Sequence, residues 1–126
     1  MMSEEQELIY GLYRYISKAS RYVGTKSVEE FIHDEKSFDA TCFCFYMIDN
    51  IVKMIHKYSK LIYEHKDIDF KKINSYKDSI FVNDGIAYVD MYEIIQNEFP
   101  LLQVKLKGIV EAISYGKQWN YFKVIC

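Results

Sequence analysis

The longest apolar stretch of the chain, residues 38–58, reads FDATCFCFYMIDNIVKMIHKY. Apolar residues recur along it at spacings of three and four, which places them on one side of an α-helix. The positions on that side are Ala40, Phe43 or Cys44, Met47 or Ile48, Ile51 and Ile55. Before Asp49 the stretch is apolar almost throughout, as is typical of a helix that is covered on several sides. It therefore predicts a long central helix around which the rest of the chain packs.

Upstream of this helix, two capping boxes predict two helix starts. Ser3 is followed three residues later by Gln6, and Ser27 by Glu30. In such a pair the serine accepts a hydrogen bond from a backbone N–H of the first turn, and the longer side chain bonds back to the cap. Gly24 is placed to end the first of the two helices. The sequence therefore predicts a long N-terminal helix and a short second helix.

Downstream of the central helix, the chain alternates helical patterns with turn signals. A fourth helix is predicted over residues 70–82, and the NDG at 83–85 is a strong turn signal. A short helix is predicted over residues 88–97. Pro100 stands where a proline is tolerated in the first turn of a helix, and we expect this last helix to end before Gly116.

The composition favours an all-α fold. One proline and five glycines in 126 residues leave little punctuation, which favours long helices over many short strands. We predict one domain over residues 1–126, an up-and-down bundle of four to five helices. The last ten residues, 117–126, are aromatic and β-prone. They either dock as an extended segment or lengthen the last helix, and the sequence leaves both open.

The charges of the chain nearly cancel, with 16 basic and 18 acidic residues. This balance gives no global field that attracts nucleic acid or an anionic membrane, although a local basic patch stays open. No run approaches the roughly 18 to 20 apolar residues of a membrane span, and the acidic N-terminus is unlike a secretory signal. We therefore expect a cytoplasmic protein with no membrane partner.

Three cysteines, Cys42, Cys44 and Cys126, form no framework for disulfides. Two residues apart on a helix, the first two point in different directions and do not bridge. Zinc is disfavoured because no second ligand pair accompanies them. We expect buried, inert thiols, no metal site and no cofactor.

Three blocks of the sequence resemble one protein family. They are SVEEFIHDEKSFDATCFCFYMIDNIVKMI (27–55), IDFKKINSYKD (68–78) and YVDMYEIIQNEFPLL (88–102). In order and spacing they are similar to the HEPN superfamily, and within it to the HepT-like toxins of HEPN/minimal-nucleotidyltransferase toxin–antitoxin pairs. The likeness covers roughly residues 5–112, with literal matches at Asp39, Ala40, Asn97, Pro100 and Leu101.

The resemblance implies a helical bundle that dimerises, and active members of the family are metal-independent ribonucleases. Their signature is an Arg, four residues, a His, one residue and a Tyr. A histidine suits proton transfer near neutral pH, and a forked guanidinium holds a phosphate and its developing charge. The tyrosine accepts AMP from the partner nucleotidyltransferase, which silences the toxin.

Carried onto this chain, the signature loses its chemistry. The Arg falls on Lys77, the His on Val82 and the Tyr on Asp84, while a glutamate of the family's IGEA element falls on Asn50. Valine transfers no proton, lysine lacks the bidentate geometry of arginine, and an aspartate repels phosphate and offers no phenol. No histidine follows His65, so a shift of register restores none.

The resemblance therefore implies a degenerate, non-catalytic member that acts by binding. The candidate ligand-binding residues are Lys77, Asn83, Tyr76 and Asn50. The partner is a minimal nucleotidyltransferase, or the ligand is an RNA or a nucleotide. The alternative is a working, metal-independent ribonuclease toxin that uses a nonstandard set, Lys77, Asn83 and Asp84.

Two other clusters of basic residues are either ligand-binding sites or ordinary solvent-exposed helix faces. His56 with Lys53 and Lys60 could bind phosphate, and Lys71, Lys72 and Lys77 around Tyr76 could make a weak contact with RNA or a nucleotide. Each group is more typical of a solvated helix face.

Twelve tyrosines and eight phenylalanines could stack on bases. A surplus of rings in a small bundle more often marks a core or a self-association face. We place Tyr13, Phe31, Phe43, Phe45 and Tyr92 in the core. We expect a homodimer to bury Tyr76, Phe81 and Tyr88.

Overall fold

The computed structural model describes the backbone of residues 3–125 and the side chains of residues 3–58 and 60–113. Within them the chain forms seven helices and one small hairpin: α1 (Glu4–Val23), α2 (Val28–His33), α3 (Glu35–Ile55), α4 (Ser59–Glu64), α5 (Phe70–Ile80), β1 (Phe81–Val82), β2 (Gly85–Ile86), α6 (Tyr88–Asn97) and α7 (Phe99–Ile125). The predicted all-α bundle is confirmed. Two of the seven helices, α2 and α4, are single short segments of six residues.

Both predicted capping boxes form. At the start of α1 the Ser3 Oγ accepts from the Gln6 backbone N–H, and the Gln6 side chain accepts from that of Ser3. Ser27 and Glu30 do the same for α2. Gly24 ends α1 with φ +54°, a conformation that residues with a Cβ adopt only with strain. Local chemistry therefore sets the first two helices.

The central helix is α3, which carries buried side chains from Thr41 to Ile55. It packs against α1 and α5, and α1 also packs against α7. Cys44 and Ile48 are buried, which decides the two positions that the sequence left open. Phe43 is 57% exposed, so its predicted place in the core is wrong. Its neighbour Cys44 faces the core, and adjacent side chains point about 100° apart around a helix.

The α5 segment ends earlier than predicted, and the next six residues form a hairpin. Phe81 pairs with Ile86 and Val82 with Gly85. Asn83 and Asp84 both have positive φ, +47° and +62°, which is the signature of a two-residue type I′ turn. The predicted NDG turn is thus confirmed, and the strands on either side of it are an addition.

The last helix is longer than predicted. It continues through Gly116 to Ile125, so the expected end before Gly116 is wrong. Of the two conformations that the sequence left open for the tail, extended or helical, the structure has the helical one as far as Ile125. One glycine costs only about 1 kcal/mol in a helix interior, which does not by itself stop a helix. Cys126 lies outside the described residues. Among those described, no helix combines the length and apolarity of a membrane span.

Candidate functional site

A shallow groove of about 680 Å³ lies between α3 and the hairpin. We call it the hairpin groove; its lining residues are Asp39, Cys42, Phe43, Tyr46, Phe81, Asp84, Gly85 and Ile86. On α3, Asp39 precedes Cys42 and Phe43 by three and four residues, and Tyr46 follows them by four and three, so the α3 members share one face of the helix. The rings of Tyr46 and Phe81 stack across it, with centroids 4.7 Å apart. The groove thus combines aromatic walls with two carboxylates.

Lys77, the residue on which the sequence resemblance places an arginine, lies beside this groove and is already paired. Its Nζ donates to Asp49 Oδ2 at 3.4 Å and lies 5.5 Å from the centroid of the Tyr46 ring. Asp49 is buried, and Lys53 Nζ contacts the same oxygen at 2.7 Å. The hydrogen bond to Asp49 raises the pKa of Lys53. Lys77 is therefore held by a carboxylate of the chain itself, although two lysines and one carboxylate leave this cluster with one net positive charge.

The other signature positions lie on the surface around Lys77. Asn50 is exposed on α3, four residues after Tyr46, and so shares its side of the helix. Val82 is exposed in β1, and Asn83 and Asp84 are exposed in the turn. Of these positions, Asp84 is the one that lines the hairpin groove. Their side chains offer an amide, a carboxylate and an aliphatic group.

Tyr76 lies apart from this group, in the core. It is 4% exposed, and its hydroxyl donates to Glu98 Oε1 at 2.9 Å, where Lys72 Nζ also pairs at 2.8 Å. Its ring packs near those of Phe45 and Phe99. The pKa of the Tyr76 hydroxyl is raised, mainly by burial and then by the hydrogen bond to Glu98. The expectation that a dimer buries Tyr76 is wrong, because the chain itself does so.

The three histidines stand elsewhere. His33 and His56 are exposed and His65 is half-buried, and the groove lining within the described residues includes none of them. No group of three or more His, Cys, Asp or Glu side chains among the described residues is arranged to hold a metal ion.

The basic clusters seen in the sequence are largely paired. Lys53 pairs with Asp49 and Lys60 with Glu64 at 3.8 Å, while Lys72 pairs with Glu98. These contacts favour the solvated helix face over a phosphate site.

Cys42 and Cys44 are held as thiols. Burial is the largest cause that raises the pKa of each to about 11. Although Cys42 lines the hairpin groove, a thiol with such a pKa is a poor nucleophile near neutral pH. This agrees with the expectation of inert cysteines for these two residues.

Sequence reasoning missed Asp49, the residue that determines the charge of the site. A signal was present, because an aspartate within an apolar helical run has to find a partner when it is buried. Lys53, four residues on, is the partner that the helix geometry predicts. Lys77 is 28 residues from Asp49 along the chain. The packing of α5 on α3 brings the two side chains together.

Comparisons with family models, curated proteins and solved structures found no match for this chain.

Proposed function

We propose that this chain is a HEPN-type helical protein of the HepT-like kind that acts by binding a protein partner at the hairpin groove and does not cleave RNA. The partner is a minimal nucleotidyltransferase, as the three sequence blocks imply. The observation that carries the proposal is the pairing of Lys77 with the buried Asp49, because this contact holds at a carboxylate the cation that a phosphate would need where the family has its arginine.

The chemistry of the groove supports a protein partner over RNA. Its lining residues include two aspartates, Asp39 and Asp84, and no lysine or arginine among the described side chains. Phosphates repel carboxylates, and most of the affinity of a protein for RNA comes from phosphate contacts with basic side chains. Exposed rings such as Phe43 and Tyr46 are instead typical of the buried centre of a protein interface.

The proposed partner does not act on this chain as it does on active toxins. In those pairs it transfers AMP to the signature tyrosine, and here that position is Asp84. A carboxylate has no phenol to modify. The partner is therefore held by contact at the groove.

Co-expression tests the proposal. The genes next to the gene of this chain are searched for a minimal nucleotidyltransferase, which is co-expressed with the chain, and the pair is purified through a tag on the nucleotidyltransferase. We expect the chain to co-purify, and Phe43→Asp to abolish this, because the change places a charge among the rings of the interface. Tyr63→Asp on α4 is the matched control, since Tyr63 is an exposed ring outside the groove.

Three results contradict the proposal: no encoded nucleotidyltransferase, no complex with it, or equal loss of complex in the two variants. Circular dichroism of both variants first shows that each keeps the helical fold, so that a lost complex reports the interface.

The ribonuclease alternative requires Lys77, Asn83 and Asp84 to act together on RNA. Asn83 and Asp84 lie side by side in the turn, but Lys77 has to leave Asp49 to serve a phosphate.

A further inference from the structure

The hairpin groove holds two carboxylates that no described side chain of the protein pairs with. Asp39 on α3 and Asp84 in the turn are both exposed, and they line the groove from its two sides. Other acids form the ion pairs of the described residues, namely Asp34, Asp49, Glu64, Glu98 and Glu111. In the free chain, exposure to solvent stabilises the two unpaired charges.

A protein partner that covers the groove changes the surroundings of these charges. Docking removes solvent from Asp39 and Asp84. Burial of an ionised carboxylate without a counter-charge is strongly unfavourable, and interfaces meet this by placing opposite charges across the contact. A partner that binds here therefore has to present positive charge to the groove.

The remaining residues near the groove leave this need unmet. Burial, and then the charge of Asp39, raises the pKa of the Cys42 thiol to about 11, so Cys42 carries no charge near neutral pH. Lys53 and Lys77 lie beside the groove but both contact Asp49. The two groove carboxylates are thus available to a cation of the partner.

The aromatic walls decide which cation fits. Phe43 is the most exposed of the lining rings, and its ring meets that of Tyr15 edge to face with centroids 6.3 Å apart. Rings on this side already attract cations of the chain itself. Lys77 Nζ lies 5.5 Å from the centroid of the Tyr46 ring, and Lys18 Nζ lies 5.4 Å from that of Tyr15.

Between the two basic side chains, arginine suits such a groove better than lysine. A guanidinium is planar and more weakly hydrated than an ammonium, and it stacks on an aromatic ring while its N–H fork bonds a carboxylate. Arginine is also among the residues that contribute most to binding at the centres of protein interfaces.

We propose that the hairpin groove receives an arginine side chain of the partner, whose guanidinium stacks on Phe43 and bonds Asp39 and Asp84. This deepens the proposed function and rests on it. The volume of about 680 Å³ is in the range of pockets that enclose a drug-sized ligand, about 300 to 1,000 Å³. The groove therefore also admits the side chains next to the arginine, and apolar ones fit against Phe81 and Ile86.

Neutral variants of the two aspartates test the contact in the complex with the nucleotidyltransferase. Asp39→Asn and Asp84→Asn are each expected to raise the dissociation constant about thirtyfold or more in calorimetric titrations, because each removes one of the two charges that the arginine meets. Asparagine has the size of aspartate and tolerates the positive φ of Asp84. The matched control is Asp67→Asn, an exposed aspartate outside the groove, which is expected to leave the dissociation constant unchanged.

Phe43→Leu separates stacking from apolar contact. The change keeps an apolar side chain and removes the ring on which the guanidinium stacks. It is expected to raise the dissociation constant of the complex about fivefold.

A small probe tests the same contact on the chain alone. Phenethylguanidine carries a ring and a guanidinium, and phenethylurea is its neutral counterpart of nearly the same shape. Each is titrated into the isotope-labelled chain, and the backbone amide shifts are followed by NMR. The guanidine is expected to shift the amides of Gly85 and Ile86 with a dissociation constant of about 1 to 5 mM, and the urea to bind about tenfold more weakly. The double variant Asp39→Asn/Asp84→Asn is expected to bind both equally weakly.

The outcomes separate the arginine from the partner. If no complex with the nucleotidyltransferase forms, the proposed function fails and the arginine with it. A complex that Phe43→Asp abolishes, but that both asparagine variants leave at full affinity, keeps the proposed function and overturns the arginine. Equal binding of the guanidine and the urea by the unaltered chain, or no shift at the groove with either, also overturns it, because the groove then has no preference for a cation.

Discussion

The buried carboxylate of Asp49 is shared by two lysines, which makes a non-additive stability effect predictable. Lys53 and Lys77 contact the same oxygen, at 2.7 and 3.4 Å. Either lysine alone still compensates the charge. We therefore expect the changes Lys53→Met and Lys77→Met to be mild singly and severe together.

The magnitudes follow from exposure. Lys77 is 29% exposed and its contact is the longer of the two, so Lys77→Met is expected to cost about 1 kcal/mol. Lys53 is mostly exposed, and Lys53→Met is expected to change stability little. The double change strands the carboxylate of Asp49 without a counter-ion, for which about 3–5 kcal/mol is expected. For a domain of this size that lowers the thermal midpoint by roughly 10 to 20 °C.

Urea unfolding followed by circular dichroism measures the four members of the cycle. Adding Asp49→Asn to the double variant is expected to recover most of the loss, because a neutral amide is cheaper to bury than a carboxylate. Lys60→Met is the control: its partner Glu64 is four residues away and both are well exposed. It is expected to leave stability unchanged.

Strict additivity in this cycle refutes the reasoning. If the double variant loses no more than the sum of the singles, then Asp49 is hydrated or otherwise compensated. The contact between Asp49 and Lys77 then no longer supports the argument that Lys77 is held away from a phosphate.

Three further outcomes are expected. With Cys126 changed to serine, Cys42 and Cys44 should react slowly with a thiol reagent at pH 8 until urea unfolds the chain, because each pKa is raised to about 11; rapid native reaction contradicts their burial. The pKa of Tyr76 is raised, so its share of stability is present below about pH 10 and is lost as pH rises further; Tyr76→Phe should cost about 1 kcal/mol at pH 7 and flatten that alkaline loss in urea titrations. Gly24→Ala should cost about 1–2 kcal/mol, because φ is +54° there; no change in the urea midpoint contradicts that conformation.

Features that depend on neighbouring residues could be predicted from the sequence. Both capping boxes, the central helix and the NDG turn are each encoded within a few residues. The hairpin strands could not be predicted, since two residues per strand are too few to show alternation. Which of Phe43 and Cys44 faces the core was also open, because adjacent residues differ by about 100° around a helix and both are apolar.

The candidate site depended on contacts between distant residues. The place of Lys77 in a ligand site stays a prediction from the resemblance, and its pairing with Asp49 could not be predicted because it joins residues 28 apart. Tyr76 was expected at the ligand site because it neighbours Lys77 in sequence. Because adjacent residues point about 100° apart around a helix, Tyr76 faces the core while Lys77 does not. In the core its hydroxyl donates to Glu98, which is 22 residues further along the chain.

Cleavage of RNA tests the central claim most directly. A structured RNA is incubated without metal ions, with a chelator present, and the cleavage rates of the unaltered chain and of Lys77→Ala are compared with that of RNA alone. The account predicts that all three rates are equal, because Val82 stands at the position of the signature histidine and transfers no proton, and Lys77 is held by Asp49. Cleavage by the unaltered chain that Lys77→Ala abolishes would contradict it and would make this protein a ribonuclease.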